Sequence, residues 1–212
     1  MTPERHDPPG PGQAPGAKGD SIVLKPDYPV RTPRLVLRPF TQDDLDALHD
    51  FHRLPEVARY LYHEPRNRAE VSVLLQGKIA ASVLPVDGKA LCLAAELAES
   101  GQLVGDCTLF WLSQAHRQGE IGFIFHPAFQ GRGLATEAAA ALLRLGFEGL
   151  GLHRIIGRCD GRNRASAGVM ERNGMRREAH LIENEFVKGE WTDELIYAIL
   201  RREWEASAPA RD

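Results

Sequence analysis

Residues 125–138 lie between a strand-like run and a long apolar run, and they read Phe125-His126-Pro127-Ala128-Phe129-Gln130-Gly131-Arg132-Gly133-Leu134-Ala135-Thr136-Glu137-Ala138. The apolar run over 133–147 predicts a helix. At its start, Gly131 and Gly133 lack a Cβ and let a ligand approach the backbone closely. The free N–H groups of a first helical turn, with the positive end of the helix dipole, form an anion site. The stretch therefore predicts a phosphate or pyrophosphate site, to which Arg132 adds a positive charge.

Three kinds of phosphate loop could account for this stretch. A P-loop requires G-x-x-x-x-G-K-[ST], which is absent from the chain. A dinucleotide fingerprint requires G-x-G-x-x-G/A directly after a strand, but here Thr136 takes the third glycine position and residues 126–130 separate the strand from Gly131. The third pattern, Q/R-x-x-G-x-G/A, matches residues 130–135 at every defined position. The third kind is favoured, and a nicotinamide-binding oxidoreductase is the weaker alternative.

The segments around the loop predict a mixed sheet. A strand over 120–125, the helix over 133–147 and a strand over 153–158 form a crossover unit that joins two parallel strands. The other predicted elements are strands over 34–40, 90–97, 103–112, 175–186 and 191–200, and helices after Thr41, over 69–84 and over 165–172. The predicted fold class is therefore α/β (α+β), with a sheet that is antiparallel first and parallel in the middle.

The composition is typical of one soluble domain. The chain has 212 residues, of which 43% are hydrophobic and 26% charged, and a formal net charge of −3. This charge argues against non-specific nucleic-acid binding, which needs an excess of lysine and arginine. The three cysteines are far apart in the sequence and therefore predict neither disulfides nor a metal site.

The chain has no apolar signal core and no membrane-spanning run, which predicts a cytoplasmic protein. A disordered Pro/Gly-rich tail is predicted for 1–30, a folded domain for 31–206 and a C-terminal tail for 207–212.

Several motifs, in the order that one family requires, resemble the GNAT superfamily of N-acetyltransferases. Residues 130–135 look like its coenzyme A pyrophosphate loop, and residues 120–127 and 151–155 look like its fourth and fifth strands. Asn163-Arg164-Ala165-Ser166 and Glu171-Arg172-Asn173-Gly174-Met175 are similar to the N-x-x-S and E-x-x-G-F elements of the ribosomal-protein and related acetyltransferases. Met175 stands where that group usually has phenylalanine. The resemblance covers roughly residues 33–204 and implies a mostly antiparallel central sheet with helices on both faces.

The resemblance also implies acetyl-CoA as the cofactor and a role for each motif. The residues that would hold its pyrophosphate are Gln130, Gly131, Arg132, Gly133, Leu134 and Ala135. The N–H groups of Ile124 and Phe125, on the strand that splays from its parallel neighbour, would stabilise the oxyanion formed when an amine attacks the thioester. Asn163 and Ser166 would face the pantetheine arm or the sulfur, and Ser166 would donate a hydrogen bond to the departing thiolate.

The acceptor must be a neutral amine when it attacks. The pKa of an α-amino group is about 8 and that of a lysine amine about 10.4, so the second needs a base or a desolvating site. Glu120 is the predicted base, His126 is a weaker candidate, and Glu137 is interpreted as a carboxylate that stabilises the helix start. The acceptor, a protein N-terminus or a small-molecule amine, is expected near residues 52–63 and 181–191. A homodimer is implied by resemblance alone, and a non-catalytic, CoA-binding regulatory homologue is the second alternative.

Overall fold

A computed structural model describes residues 24–207, which form one eight-stranded mixed sheet covered by helices. The strands are β1 Val30–Arg31, β2 Leu35–Arg38, β3 Ala90–Leu97, β4 Leu103–Ser113, β5 Gln118–Phe125, β6 Arg154–Asp160, β7 Arg176–Val187 and β8 Glu190–Leu200. The helices are α1 Leu45–His52, α2 Pro55–Ala58, α3 Arg68–Ala80, α4 Leu134–Arg144, α5 Arg164–Arg172 and α6 Arg201–Ser207. None of these helices is long and apolar enough to span a bilayer. Within residues 24–207, no three His, Cys, Asp or Glu side chains are grouped as metal ligands.

The sheet is antiparallel except at one place. Its strands follow the order β1-β2-β3-β4-β5-β6-β8-β7, and the one parallel pair is β5 with β6, which α4 connects. This parallel ladder is short: it pairs residues 118–120 with residues 154–156 and then stops. The predicted fold class, a mostly antiparallel sheet with a parallel strand-helix-strand crossover, is confirmed.

Two hydrophobic cores lie on opposite faces of the sheet, because successive side chains along a strand point to opposite sides. On one face, α4 packs Ala138 and Leu142 into a large core that includes Ile121 of β5. On the other face, Phe51 of α1 and Leu75 of α3 belong to a second, smaller core. Helices therefore cover both faces, as the resemblance implied.

Several element boundaries differ from the prediction for local reasons. The helix predicted over 69–84 is α3, which begins at a capping box formed by Asn67 and Glu70 and ends at Ala80. The helix predicted over 133–147 is α-helical as far as Arg144 and continues as a single π turn over Leu145–Gly149. The short elements β1, α2 and α6 have no counterpart in the prediction, because each lacks a run long enough to have a clear period.

The folded region includes residues that the sequence assigned to the N-terminal tail. Leu24 is buried and forms an isolated antiparallel bridge with Leu84, and Tyr28 Oη donates to the Ser82 carbonyl at 2.7 Å. Leu24 thus packs into the fold, ahead of the predicted domain start at residue 31. The rest of the predicted N-terminal tail, 1–23, and residues 208–212 of the predicted C-terminal tail lie outside the described residues.

Candidate functional site

A gap opens between β5 and β6 where their ladder stops after Glu120. The His126 N–H donates to the Val104 carbonyl at 2.9 Å, and in an antiparallel ladder the hydrogen-bonded positions recur at every second residue. By this alternation the N–H of Ile124 faces β4, whereas the N–H groups of Phe123 and Phe125 face the gap. Two backbone donors of β5 therefore point toward β6 in the region beyond the paired residues.

The loop between β5 and α4 presents backbone N–H groups at the helix start. Gly131 and Gly133 adopt φ angles of 73° and 77°, a left-handed conformation that favours glycine. Gly133 is the N-cap of α4, and no side chain caps the helix there, so the N–H groups of its first turn are available to a ligand. Gln130 fixes the other side of the loop, since its Nε2 donates to the Phe125 carbonyl at 2.9 Å.

An ion pair from the far edge of the sheet braces this loop. Glu137 of α4 accepts hydrogen bonds from Thr32 Oγ1 at 2.6 Å and from Arg34 Nε at 2.7 Å. The same Arg34 donates through Nη1 to the Arg132 carbonyl at 2.8 Å. Burial acts to raise the pKa of Glu137, but the hydrogen bonds from Thr32 and Arg34 outweigh it and hold the pKa below its ordinary value. Glu137 therefore stays ionised at neutral pH and holds the loop backbone in place.

A cavity of about 680 Å³ joins the loop, the gap and the start of α5. Nine of the predicted site residues line it: Ile124, Phe125, Gln130, Gly131, Gly133, Leu134, Ala135, Asn163 and Ser166. Asn163 caps α5, because its Oδ1 accepts the Ser166 N–H at 3.1 Å, and this bond holds the start of α5 at the cavity wall. On the other side of the sheet the cavity reaches Val57, Tyr60 and Leu61, in and just after α2. The cavity thus connects the two faces of the sheet through the end of the gap.

Two predicted site residues, Arg132 and Glu120, do not line this cavity. The Arg132 guanidinium carbon lies 5.6 Å from the centre of the Phe129 ring. Glu120 lies on the sheet face opposite α4, because it alternates with the buried Ile121. There its carboxylate accepts from Arg158 Nε at 3.1 Å. The other nine predicted site residues come together around the cavity, whereas Arg132 and Glu120 do not line it.

Arg158 links Glu120 to a second carboxylate that sequence reasoning missed. Its Nη1 donates to Glu194 Oε1 at 3.3 Å, and Asn184 Nδ2 donates to the other Glu194 oxygen at 3.0 Å. Glu194 is 4% exposed, and burial raises its pKa above the ordinary value. The alternation along β8 places Glu194 on the same sheet face as Glu120, but no local motif marks either Arg158 or Glu194 in the sequence.

Comparison with known proteins now decides the family. The acetyltransferase (GNAT) domain family matches residues 34–176. The chain belongs to the GNAT acetyltransferases. An uncharacterized N-acetyltransferase of Bacillus subtilis, YnaD, is 32% identical over 82% of this chain and 98% of that protein. A GNAT-family acetyltransferase structure from Bacillus anthracis has a TM-score of 0.74 at 30% identity, covering 82% of this chain and 98% of that one. Spermidine N-acetyltransferase from Vibrio cholerae, in complex with CoA and spermine, has a TM-score of 0.70 at 26% identity, covering 82% and 99%.

As a GNAT acetyltransferase, this protein uses acetyl-CoA as its acetyl donor. Its glycine loop and the adjoining cavity suit the pyrophosphate and the thioester arm of that donor. The glycine loop leaves open space where a side chain on Gly131 would stand, and α4 begins there without a side-chain cap. The cavity beside it has room for an extended thioester arm, at about 680 Å³. The family assignment also removes the nicotinamide-binding oxidoreductase as an alternative.

Proposed function

We propose that this GNAT acetyltransferase transfers the acetyl group of acetyl-CoA to a primary amine by direct attack on the thioester. One observation carries the proposal: a single cavity runs from the glycine loop past the end of β5 to α2 on the other sheet face. A donor held at the loop and an acceptor entering beside α2 would meet at the gap between β5 and β6.

The residues proposed to contact acetyl-CoA are assigned their roles from where they lie around the cavity. The N–H groups of residues 131–135 would bind the pyrophosphate at the positive end of α4. The Phe125 N–H, and with it that of Phe123, faces the gap and would donate to the thioester oxygen as negative charge develops there. Ile124 would only line the cavity and would not donate to the thioester oxygen as the resemblance implied, since its own N–H faces β4. Ser166 lines the same cavity and would donate a hydrogen bond to the departing sulfur.

On the acceptor side, Glu120 is the proposed base, and it would act through water because it does not itself line the cavity. Glu120, Glu185 and Glu194 lie near one another on the sheet face from which the acceptor would enter, and their negative charge exceeds the single positive charge of Arg158, which pairs with Glu120 and Glu194. This charge favours a cationic primary amine, in keeping with the spermine-bound Vibrio cholerae structure. A protein N-terminus, suggested by the motifs of the ribosomal-protein group, is the other acceptor proposed. The cytoplasmic location, the homodimer, and the absence of nucleic-acid and membrane partners stay predictions.

Acetyl transfer to spermidine and to N-terminal peptides, followed by mass spectrometry, tests the proposal. We expect one acetylated product, and we expect Ser166→Ala to lower kcat about 100-fold while the acetyl-CoA Kd changes less than about twofold. Ser100→Ala, in the exposed turn between β3 and β4, is the matched control and should behave as the wild type. Binding of acetyl-CoA with no amine acetylated would favour the non-catalytic homologue, and full kcat in Ser166→Ala would remove Ser166 from the mechanism.

A further inference from the structure

A narrow seam lies beside the acceptor end of the main cavity, the one of about 680 Å³. It separates the tip of the β7–β8 hairpin from the segment that follows α2, and the space inside it is about 20 Å³. Such a volume holds about one water molecule. Tyr60 lines both the seam and the main cavity. The seam therefore forms a closed side wall of the region where the acceptor would enter.

Lys188 ties the tip of the hairpin across this seam. Its Nζ donates to the carbonyl of Ala58, the last residue of α2, at 2.5 Å. Lys188 and Gly189 form the two-residue turn of the hairpin, with φ angles of 53° and 85°. This left-handed conformation is sterically unfavourable for lysine and favours glycine or asparagine, so the turn alone does not account for a lysine at this position. The contact with Ala58 gives the side chain a role that the turn itself does not require.

Arg162 ties the same segment from the end of β6. Its guanidinium carbon lies 6.0 Å from the centre of the Tyr60 ring, within the range of a cation–π contact. Two carboxylates hold the guanidinium in this place. Asp160 Oδ2 accepts from Nη2 at 2.7 Å, and Glu190 Oε1, at the start of β8, accepts from Nη1 at 2.8 Å. Arg162 thus connects the segment after α2 with both the end of β6 and the hairpin.

The closed seam affects the two proposed acceptors differently. A peptide N-terminus continues into a chain that carries side chains, whereas spermidine is a thin, unbranched chain of methylene and amine groups. A thin amine needs no room beside the main cavity. A peptide is wider, and a seam that holds about one water molecule does not admit it.

We propose that Lys188 and Arg162 form an acceptor latch, which keeps the seam closed and favours a thin, unbranched amine over a peptide N-terminus. Both are positioning residues, because they act on Ala58 and Tyr60 and so on the wall of the cavity. The inference rests on the proposed function, since it selects between the two acceptors of that reaction. It assigns the choice of acceptor to residues outside the motifs that bind the donor.

Acetyl transfer to spermidine and to a short peptide with a free N-terminal amine, measured in Lys188→Met, Arg162→Met and the double variant, tests this inference. The ratio of kcat/KM for spermidine to kcat/KM for the peptide should fall about tenfold or more in the double variant, because the opened seam admits the peptide. The change should lie in KM, with kcat altered less than about threefold and the acetyl-CoA Kd unchanged. The loss of two positive charges would by itself attract the more cationic spermidine and raise the ratio, so a fall is not an effect of charge.

Two further variants serve as controls for the acceptor latch. Lys188→Arg keeps a donor for the Ala58 carbonyl and should retain the ratio of the wild type. Lys89→Met removes the same charge from an exposed side chain in the loop before β3, away from the seam, and should also retain it. Lys188→Met alone changes an exposed side chain and should fold, so it tests the direction of the change even where the double variant does not fold.

The outcomes separate this inference from the function on which it rests. An unchanged or raised ratio in the variants, or an equal loss of kcat/KM for both acceptors, would overturn the inference and leave the proposed function standing. A wild type that prefers the peptide to spermidine would do the same. Failure of the wild type to acetylate either amine would contradict the proposed function and the inference together.

Discussion

Replacing Gly131 by alanine is expected to weaken acetyl-CoA binding about 100-fold, or ~2.7 kcal/mol. The added Cβ meets no protein atom within 4 Å, so it would stand in the open space of the cavity where the phosphate is proposed to lie. A residue with a side chain also resists the φ of 73° at this position, which would move the loop N–H groups away from the anion. Isothermal titration with acetyl-CoA measures the effect.

Gly101 provides a matched control for this substitution. It lies in the turn between β3 and β4 with a φ of 70°, and a Cβ there also meets nothing within 4 Å. Gly101→Ala and Gly131→Ala should therefore lose a similar free energy of unfolding, about 1 kcal/mol, whereas only Gly131→Ala should lose acetyl-CoA affinity. Equal acetyl-CoA affinity in the two variants would place the pyrophosphate somewhere other than the glycine loop.

Replacing Lys78 by methionine is expected to lower the free energy of unfolding by about 3–5 kcal/mol. Lys78 and Asp106 are 8% and 3% exposed, and they pair in the smaller core with Nζ 2.6 Å from Oδ2. His52 would not replace the lysine as a partner of Asp106, since its Nε2 lies 3.5 Å from the same carboxylate oxygen. Removing the lysine would leave a buried carboxylate without its cation. Urea denaturation of the purified variants measures the change.

Two further variants control this second prediction. Arg53→Met breaks the exposed pair with Asp50 and should cost less than about 1 kcal/mol. The double variant Lys78→Met/Asp106→Leu should regain much of the stability, because both charges are gone. A loss below about 1 kcal/mol in Lys78→Met alone would show that the buried pair is unimportant to the fold.

The same buried pair predicts a pH dependence of stability. Burial acts to raise the pKa of Asp106, but attraction to Lys78 and the hydrogen bond from Lys78 outweigh it and lower the pKa. A carboxyl with a lowered folded-state pKa stabilises the fold above its unfolded value of about 4, and this stability is lost as the pH falls through the folded pKa. The double variant should therefore lose less stability than the wild type on acidification below about pH 4.

The parts of the fold that could be predicted are those with a strong local period or a turn signal. The crossover from β5 through α4 to β6 follows from a strand, an apolar helix and a second strand in sequence, and the hairpin of β7 and β8 follows from Lys188-Gly189. The π turn at Leu145–Gly149 could not be predicted, because it continues the same apolar period as α4. The bridge from Leu24 to Leu84 depends on packing between distant segments, which no local pattern records.

The candidate site divides in the same way. The glycine loop and the Asn163–Ser166 pair each lie within a short stretch of sequence, so the loop could be predicted from its spacing and the pair from its similarity to the N-x-x-S element. Arg34 acts on residues about one hundred positions away, since it pairs with Glu137 and holds the Arg132 carbonyl, and only the folded chain brings these together. The direction of the Ile124 N–H likewise depends on the register of β5 with β4, which motif matching does not contain.

Thermal melting with and without acetyl-CoA, with NAD as the control, tests the central claim most directly. A ligand that binds only the folded state should stabilise it by roughly 2.7 kcal/mol at about one hundred times its dissociation constant. We expect a clear upward shift of the melting temperature with acetyl-CoA, no shift with NAD, and a smaller shift in Gly131→Ala. An unchanged melting temperature with saturating acetyl-CoA, or a shift with NAD in its place, would contradict the donor site at residues 130–135.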